Sequence, residues 1–315
     1  MKFGFQTTLN DRVSLEGIGV HSGKPVCITL HPAEANSGIV FLRTHLDNGR
    51  EREIEARYSQ VIDTRLCTVV GDPARGSVST IEHLMAALRG LGVDNVTVEV
   101  DGPEMPIMDG SSRAFVEAID QTGLETLRVR RRPIRIVKPV RVEMGRAFAE
   151  FLPYDKGFKL DIEIDFDTPL VGRQRKTLDL TPESFRRDLA KARTFGFVKD
   201  VEKLWEKGLA LGSSLDNSVA IGEDRILNPE GLRYADEFVR HKALDAVGDL
   251  ALAGPMIVGH FRSYCGGHKL NHMMLEALFA DASAWAYVDL PVRRESGHAE
   301  LGAGLAVAAY APETN

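Results

Sequence analysis

The sequence predicts an α+β protein built as two layered domains, each a sheet covered by helices. Three observations carry this reading. The length of 315 residues suits two ordinary domains better than one small core. Strand-like and helix-like patterns occur in a similar order twice. A composition break near residue 128 separates the two series, giving segments 1–127 and 128–315. With 43% hydrophobic and 27% charged residues, the chain has the mix of a globular protein able to bury its own core.

In the first segment, VCITL (26–30) and GIVFLR (38–43) are short and rich in β-formers. STIEHLMAALRGLG (79–92) reads as a helix, with Ser79 or Thr80 as cap and Gly90 and Gly92 at its end. Val96, Val98 and Val100 alternate as a half-buried strand requires. In DGSSRAFVEAIDQTG, Ser111 or Ser112 can cap a helix with the apolar stripe Ala114, Phe115, Ala118 and Ile119. From Arg128 to Arg146 eight basic residues face one acidic residue, and Pro133 and Pro139 exclude a continuous helix. A solvated linker with an edge strand is expected there, the alternative being contact with phosphate or a membrane surface.

The second segment continues with strands at IRIVKPVRVEM, AFAEFLP and KLDIEIDF, the last placing Leu160, Ile162, Ile164 and Phe166 on one face. Thr181-Pro182-Glu183 combines a cap, a first-turn proline and a first-turn acid, opening a helix to about Ala192. Helices near 232–253 and 271–285 complete the order.

The net charge of −6 argues against nucleic acid as a partner. Cys27, Cys67 and Cys265 are scattered and form no C-x-x-C pair, which suits a reducing compartment and leaves any metal site to histidine and carboxylate. The start MKFGFQTTLNDRV lacks the apolar run of a signal peptide. LALAGPMIVG is too short for a membrane span and is broken by Pro255. A soluble, cytoplasmic protein is expected.

The chemistry concentrates in a few places. On a helix, His241, Asp245 and Asp249 stand at i, i+4 and i+8, each about 40° from the last, so all three share one face. An imidazole and a carboxylate one turn apart can ligate one cation, although such pairs also arise on solvent-facing helices. Glu82 and His83 are adjacent, about 100° apart, so they can flank one site without pointing the same way. Ala87 stands where a second histidine of a zincin-like pair would be, so further ligands must come from a distant segment. A capped amphipathic helix with outward polar residues is the plainer reading of that pair. In SYCGGHKLNH, Gly266 and Gly267 let the backbone bend into a site, and His268 lies on the loop before a helix, able to protonate a leaving group or simply exposed. ARTFGF offers the hydroxyl of Thr194 beside Phe195 and Phe197. Val198, Val201, Leu204 and Trp205 follow at helical spacing, as core packing or as the wall of an apolar channel.

Together, GIGVHSGKP (17–25), TRLCT (64–68), STIEHLMAAL (79–88), PEMPIMDGS (103–111), ARTFGF (192–197), EFVRHKALDAVGDL (237–250) and GGHKLN (266–271) resemble the UDP-3-O-acyl-N-acetylglucosamine deacetylases, zinc enzymes of lipid A biosynthesis in Gram-negative bacteria. Blocks in this order across nearly the whole chain are far more specific than any one of them. The resemblance implies two α+β domains, each a mainly antiparallel sheet covered by helices, with the active site between them. It implies His83, His241 and Asp245 as ligands of Zn2+, with Fe2+ the alternative occupant. Glu82 would be the general base and Thr194 would hold the oxyanion. His268 would be the general acid or electrostatic partner, oriented by Asp249. Lys242 would contact substrate, Phe195 and Phe166 would line the nucleoside or sugar pocket, and the segment after Phe197 would shape an acyl passage.

The substrate implied is an amphiphilic UDP-sugar, and the protein is expected to be a monomer. Weak association with a membrane surface through the basic run near residue 130 is left open. The competing readings are a metal-dependent hydrolase of another amide and a catalytically silent binding protein. Intact Glu82, His268 and ligand positions argue against silence.

Overall fold

The computed structural model describes residues 4–46 and 49–288, so the end of the second expected segment, 289–315, lies outside the described residues. The N-terminal part is a five-stranded sheet in the order Val13–Ile18, Pro25–Pro32, Val96–Val100, Ile39–Arg43, Arg52–Glu55. Its pairings are antiparallel except the one between Ile39–Arg43 and Val96–Val100. The period of two shows directly: Val26, Ile28 and Leu30 are buried, as are Val96, Val98 and Val100. The C-terminal part is a seven-stranded sheet centred on Ile257–Tyr264, which pairs antiparallel with Ala147–Leu152 and parallel with Phe158–Asp165 and Ile134–Ile136. Leu160, Ile162 and Ile164 turn to its covered face, as their spacing predicts.

Among the described residues the helices are α1 (Glu82–Leu91), α2 (Arg113–Thr122), the short α3 (Pro182–Ser184), α4 (Val198–Trp205), α5 (Glu237–Ala251) and α6 (His268–Ala280). The outcome is the expected pair of sheets with covering helices. Helices α5 and α6 lie on the C-terminal sheet, and α1 packs along α5, joining the two halves in one apolar cluster. No helix among the described residues is long and apolar enough to cross a membrane.

Several local expectations change. Neither Ser79 nor Thr80 caps α1, which follows Ile81 without a side-chain cap. Thr80 sits at φ +59° with its hydroxyl donated to the buried carboxylate of Glu104 at 3.1 Å, an acceptor that outcompetes a helix end. Ser112 donates to the carbonyl of His83 at 2.7 Å, while the Ser111 hydroxyl accepts from the Arg113 N–H at 3.2 Å. Thr181 does cap, in a box closed by Ser184, but the helix continues as a single π-helical turn, Phe185–Leu189. The expected boundary at 128 falls inside the strand Leu124–Arg130, which pairs with Phe5–Leu9. There Arg130 lies over the Phe5 ring, Arg131 binds Asp94 and the Gly92 carbonyl, and Arg132 lies over Tyr287.

The α1–α5 contact depends on a missing side chain. A Cβ on Gly248 would stand 2.0 Å from the Glu82 carbonyl oxygen, so any larger residue pushes the helices apart. In an isolated helix Gly→Ala gains about 1 kcal/mol. Here overpacking of about 1–3 kcal/mol reverses the sign. Gly248→Ala is therefore expected to lower the urea midpoint at unchanged slope, by up to about 2 kcal/mol in stability, the overpacking cost less the helix gain. A midpoint at or above wild type would show that the helices have room to separate.

Candidate metal centre and active site

His83 from α1 and His241 and Asp245 from α5 converge, with potential ligand atoms all within 4.8 Å of one another. Asp245 Oδ1 lies 3.3 Å from His241 Nε2 and 3.7 Å from His83 Nε2. All three residues are buried, so the solvent-facing reading of this helix face does not hold. His241 Nδ1 donates to the Ala192 carbonyl at 3.0 Å, which leaves Nε2 as the lone-pair nitrogen turned towards Asp245. Burial pushes the His241 pKa down to about 3 against the pull of Asp245, so the imidazole is neutral. For Asp245, burial acts upward, but the adjacent Lys242 cation outweighs it and holds the carboxyl well below its usual range.

The donor set also carries an unmet demand. Asp245 Oδ1 is buried without a hydrogen-bond donor, and it faces two imidazole nitrogens. A divalent cation satisfies that arrangement: one carboxylate and two imidazoles match the ligand chemistry of zinc, and of ferrous iron.

Beside this cluster stand Glu82, Asp249 and His268. His268 opens α6 instead of preceding it on a loop, and its side chain is 10% exposed. Its Nδ1 donates to Asp249 Oδ2 at 2.9 Å, and its Nε2 is 3.8 Å from Glu82 Oε1. Burial acts to lower the His268 pKa, but Asp249 and Glu82 carry it up to about 10. Burial raises the Glu82 carboxyl, with His268 and His83 opposing. A cationic imidazole thus adjoins a carboxylate of raised basicity, the pairing that acid–base chemistry near neutral pH requires.

A cavity of about 890 Å³ opens on these groups and is lined by Thr194, Phe195 and α4. Val198 is 42% exposed and Trp205 53%, and no residue of α4 is buried, so its apolar stripe forms a groove wall and not core. A second cavity, of about 400 Å³, is lined by Arg146, Asp165, Phe166 and Cys265 and shares Lys242 with the first. Lys242 Nζ binds Asp245 Oδ2 at 2.9 Å and lies 5.6 Å from the Phe195 ring centre. Phe166 packs edge-on against Phe195 at 5.8 Å. Thr194 is held by its backbone, donating to the Gly110 carbonyl at 2.8 Å and accepting from the Val219 N–H at 2.7 Å.

Every residue singled out from the sequence is therefore at these two cavities or touching one that is. Sequence reasoning passed over Thr68, Asn271 and the Ala192 carbonyl. Thr68 lies within TRLCT but has no spacing that marks it, and a backbone carbonyl has no sequence signature.

Asp249→Asn removes the charge that sustains the His268 cation, so the His268 pKa falls. If the protonated form is the active one, the basic limb of the pH–rate profile moves to lower pH. A basic limb in the wild-type position would separate His268 from the catalytic titration.

A family model described as UDP-3-O-acyl N-acetylglycosamine deacetylase matches residues 6–280. The chain is 51% identical over 286 residues to proteins named UDP-3-O-acyl-N-acetylglucosamine deacetylase from Brucella ovis and Brucella abortus. It is 50% identical to one of the same name from Brucella melitensis. Each match covers 90% of this chain and 99% of the relative.

Proposed function

We propose that this chain, which belongs to the UDP-3-O-acyl N-acetylglycosamine deacetylase family, removes the N-acetyl group of UDP-3-O-(3-hydroxyacyl)-N-acetylglucosamine, an early committed step of lipid A biosynthesis. The products are acetate and the free amine. The observation that carries this reading is the unpartnered Asp245 Oδ1 between two imidazoles, with Glu82 and His268 beside it, where two cavities meet at Lys242.

His83, His241 and Asp245 would hold the zinc ion, with ferrous iron the alternative. When bound, such an ion supplies Lewis acidity and lowers the pKa of water to about 7. Glu82 takes the proton of the attacking water at Oε1, because Oε2 accepts the Thr68 N–H at 3.1 Å. The Thr194 hydroxyl donates to the oxygen that becomes negative as the acetyl carbon turns tetrahedral. His268, held cationic by Asp249, stabilises that charge and donates a proton towards the departing amine. Lys242 orients the substrate between the cavities, with Phe195 and Phe166 lining its nucleoside or sugar side and α4 lining its acyl side. The three free cysteines suit a reducing cytoplasm, where we place the enzyme, as a monomer.

Glu82→Ala is expected to keep its metal and lose about 10²–10⁴-fold in kcat, the usual weight of a general base. Near-wild-type acetate release from that variant would remove Glu82 from the mechanism. Asp245→Ala should instead bind metal poorly, read as zinc per protein after dialysis; full occupancy would break the ligand assignment. For the reaction itself, acetate release from the UDP-sugar should stop with chelator and return with zinc. Silence from fully loaded protein would mean a different amide is the substrate.

A further inference from the structure

We propose that Thr68 is the positioning residue that sets Glu82 and His268 against each other. The inference rests on the reading of those two groups as base and acid. Thr68 is buried and lies immediately before the strand Val69–Asp72, where its carbonyl meets the N–H of Ile81 at the start of α1. Its backbone N–H donates to Glu82 Oε2 at 3.1 Å, and its Oγ1 donates to Asp249 Oδ1 at 2.6 Å. Asp249 in turn holds His268 Nδ1, and His268 Nε2 faces Glu82 Oε1. The four residues form a closed ring, and Thr68 is its only member on neither α1, α5 nor α6.

The oxygens of both carboxylates are thereby assigned. On Asp249, Oδ1 is held by Thr68, while Oδ2 serves His268 and the Asn271 amide at 2.8 Å. On Glu82, Oε2 is held by Thr68, so Oε1 is the oxygen on the His268 side. Without the Thr68 hydroxyl, Asp249 Oδ1 becomes a buried acceptor with nothing to accept from. The carboxylate is then held at Oδ2 alone, and its plane, with the angle at which it meets the His268 ring, is set less tightly. The Asn271 amide still holds Oδ2, but it bonds the same oxygen as His268 and leaves Oδ1 without a donor.

Thr68→Val deletes the hydroxyl at nearly constant shape and keeps the backbone N–H that holds Glu82, so it isolates the Asp249 arm of the contact. In the zinc-loaded enzyme it is expected to lower kcat by about 10–100-fold, the usual cost of losing an outer hydrogen-bond partner at a metal site. KM should stay within about 2-fold and zinc content should be unchanged. Thr68→Ser should recover most of kcat. On an Asp249→Ala background, which removes the acceptor, Thr68→Val should cost little more. Should Thr68→Val not fold, Thr68→Ala in the same cycle carries the same outcomes. Wild-type kcat in Thr68→Val, a serine variant as impaired as the valine, or losses that multiply with Asp249→Ala would each overturn the role. Wild-type Thr68→Val beside an inactive Glu82→Ala defeats this inference and leaves the proposed reaction standing. Full activity in Glu82→Ala as well defeats the reading beneath it.

Discussion

The close contact of α1 with α5 is the constraint on which the site depends. Helices from the two halves of the chain come together because Gly248 has no Cβ where the Glu82 carbonyl passes. At that separation α1 presents Glu82 and His83 to the face of α5 that carries His241, Asp245 and Asp249. The helical repeat decides which residues meet: positions four apart on α5 lie one above another along the shared seam. The chemistry is thus fixed by backbone packing before any side chain is chosen. The adjacent Glu82 and His83, which diverge by about 100°, become useful because the seam has two neighbours to offer them: the Asp245 cluster for one, His268 for the other.

Bringing so many ionisable groups into a buried seam is costly unless each charge has a partner, and the pairing divides them by role. Asp245 is held ionised by Lys242 against burial, and Asp249 keeps His268 protonated, while burial raises Glu82 and leaves His241 neutral. A neutral imidazole, a cationic one and a carboxyl of raised pKa thereby coexist within one small volume. The surrounding frame is held by another buried pair. Arg193, 1% exposed, binds Glu237, 0% exposed, with its backbone N–H and its guanidinium. That ties the segment bearing the Ala192 carbonyl, Thr194 and Phe195 to the first turn of α5. The carbonyl that orients His241 is therefore anchored to the helix that carries His241.

The parts of this arrangement legible in the sequence are those with a period. The i, i+4, i+8 placement of His241, Asp245 and Asp249 follows from helical spacing, and the alternation of Val96, Val98 and Val100 from the pleat. The resemblance across separated blocks then linked residues that no local pattern could join, such as His83 to His241. What stayed hidden depends on tertiary competition. Thr80 has the composition of a cap, but Glu104 is a stronger acceptor within reach. The stripe on α4 has the spacing of a core helix, and nothing in the sequence says that the wall opposite it is missing. Thr68 gave no signal because its function is carried half by a backbone N–H, which every residue but proline has.

The α4 stripe also bears on what the site must accept. A folding chain gains about 1.5–3 kcal/mol for each large apolar side chain it buries. Yet Val198, Trp205 and Leu215 stay substantially exposed around a cavity, a few residues from charged groups that are almost wholly buried. Neither feature serves stability alone: the charges are kept from water, and the hydrophobic side chains are left in it. Both become favourable when one ligand covers the groove with an apolar chain and reaches the centre with a polar amide. Lys242, common to both cavities and bound to Asp245, marks the point where such a ligand changes character. An amphiphile with its reactive amide near that junction fits this division of surfaces, whereas a wholly polar sugar would leave the α4 groove unfilled and a simple fatty amide would leave the second cavity empty.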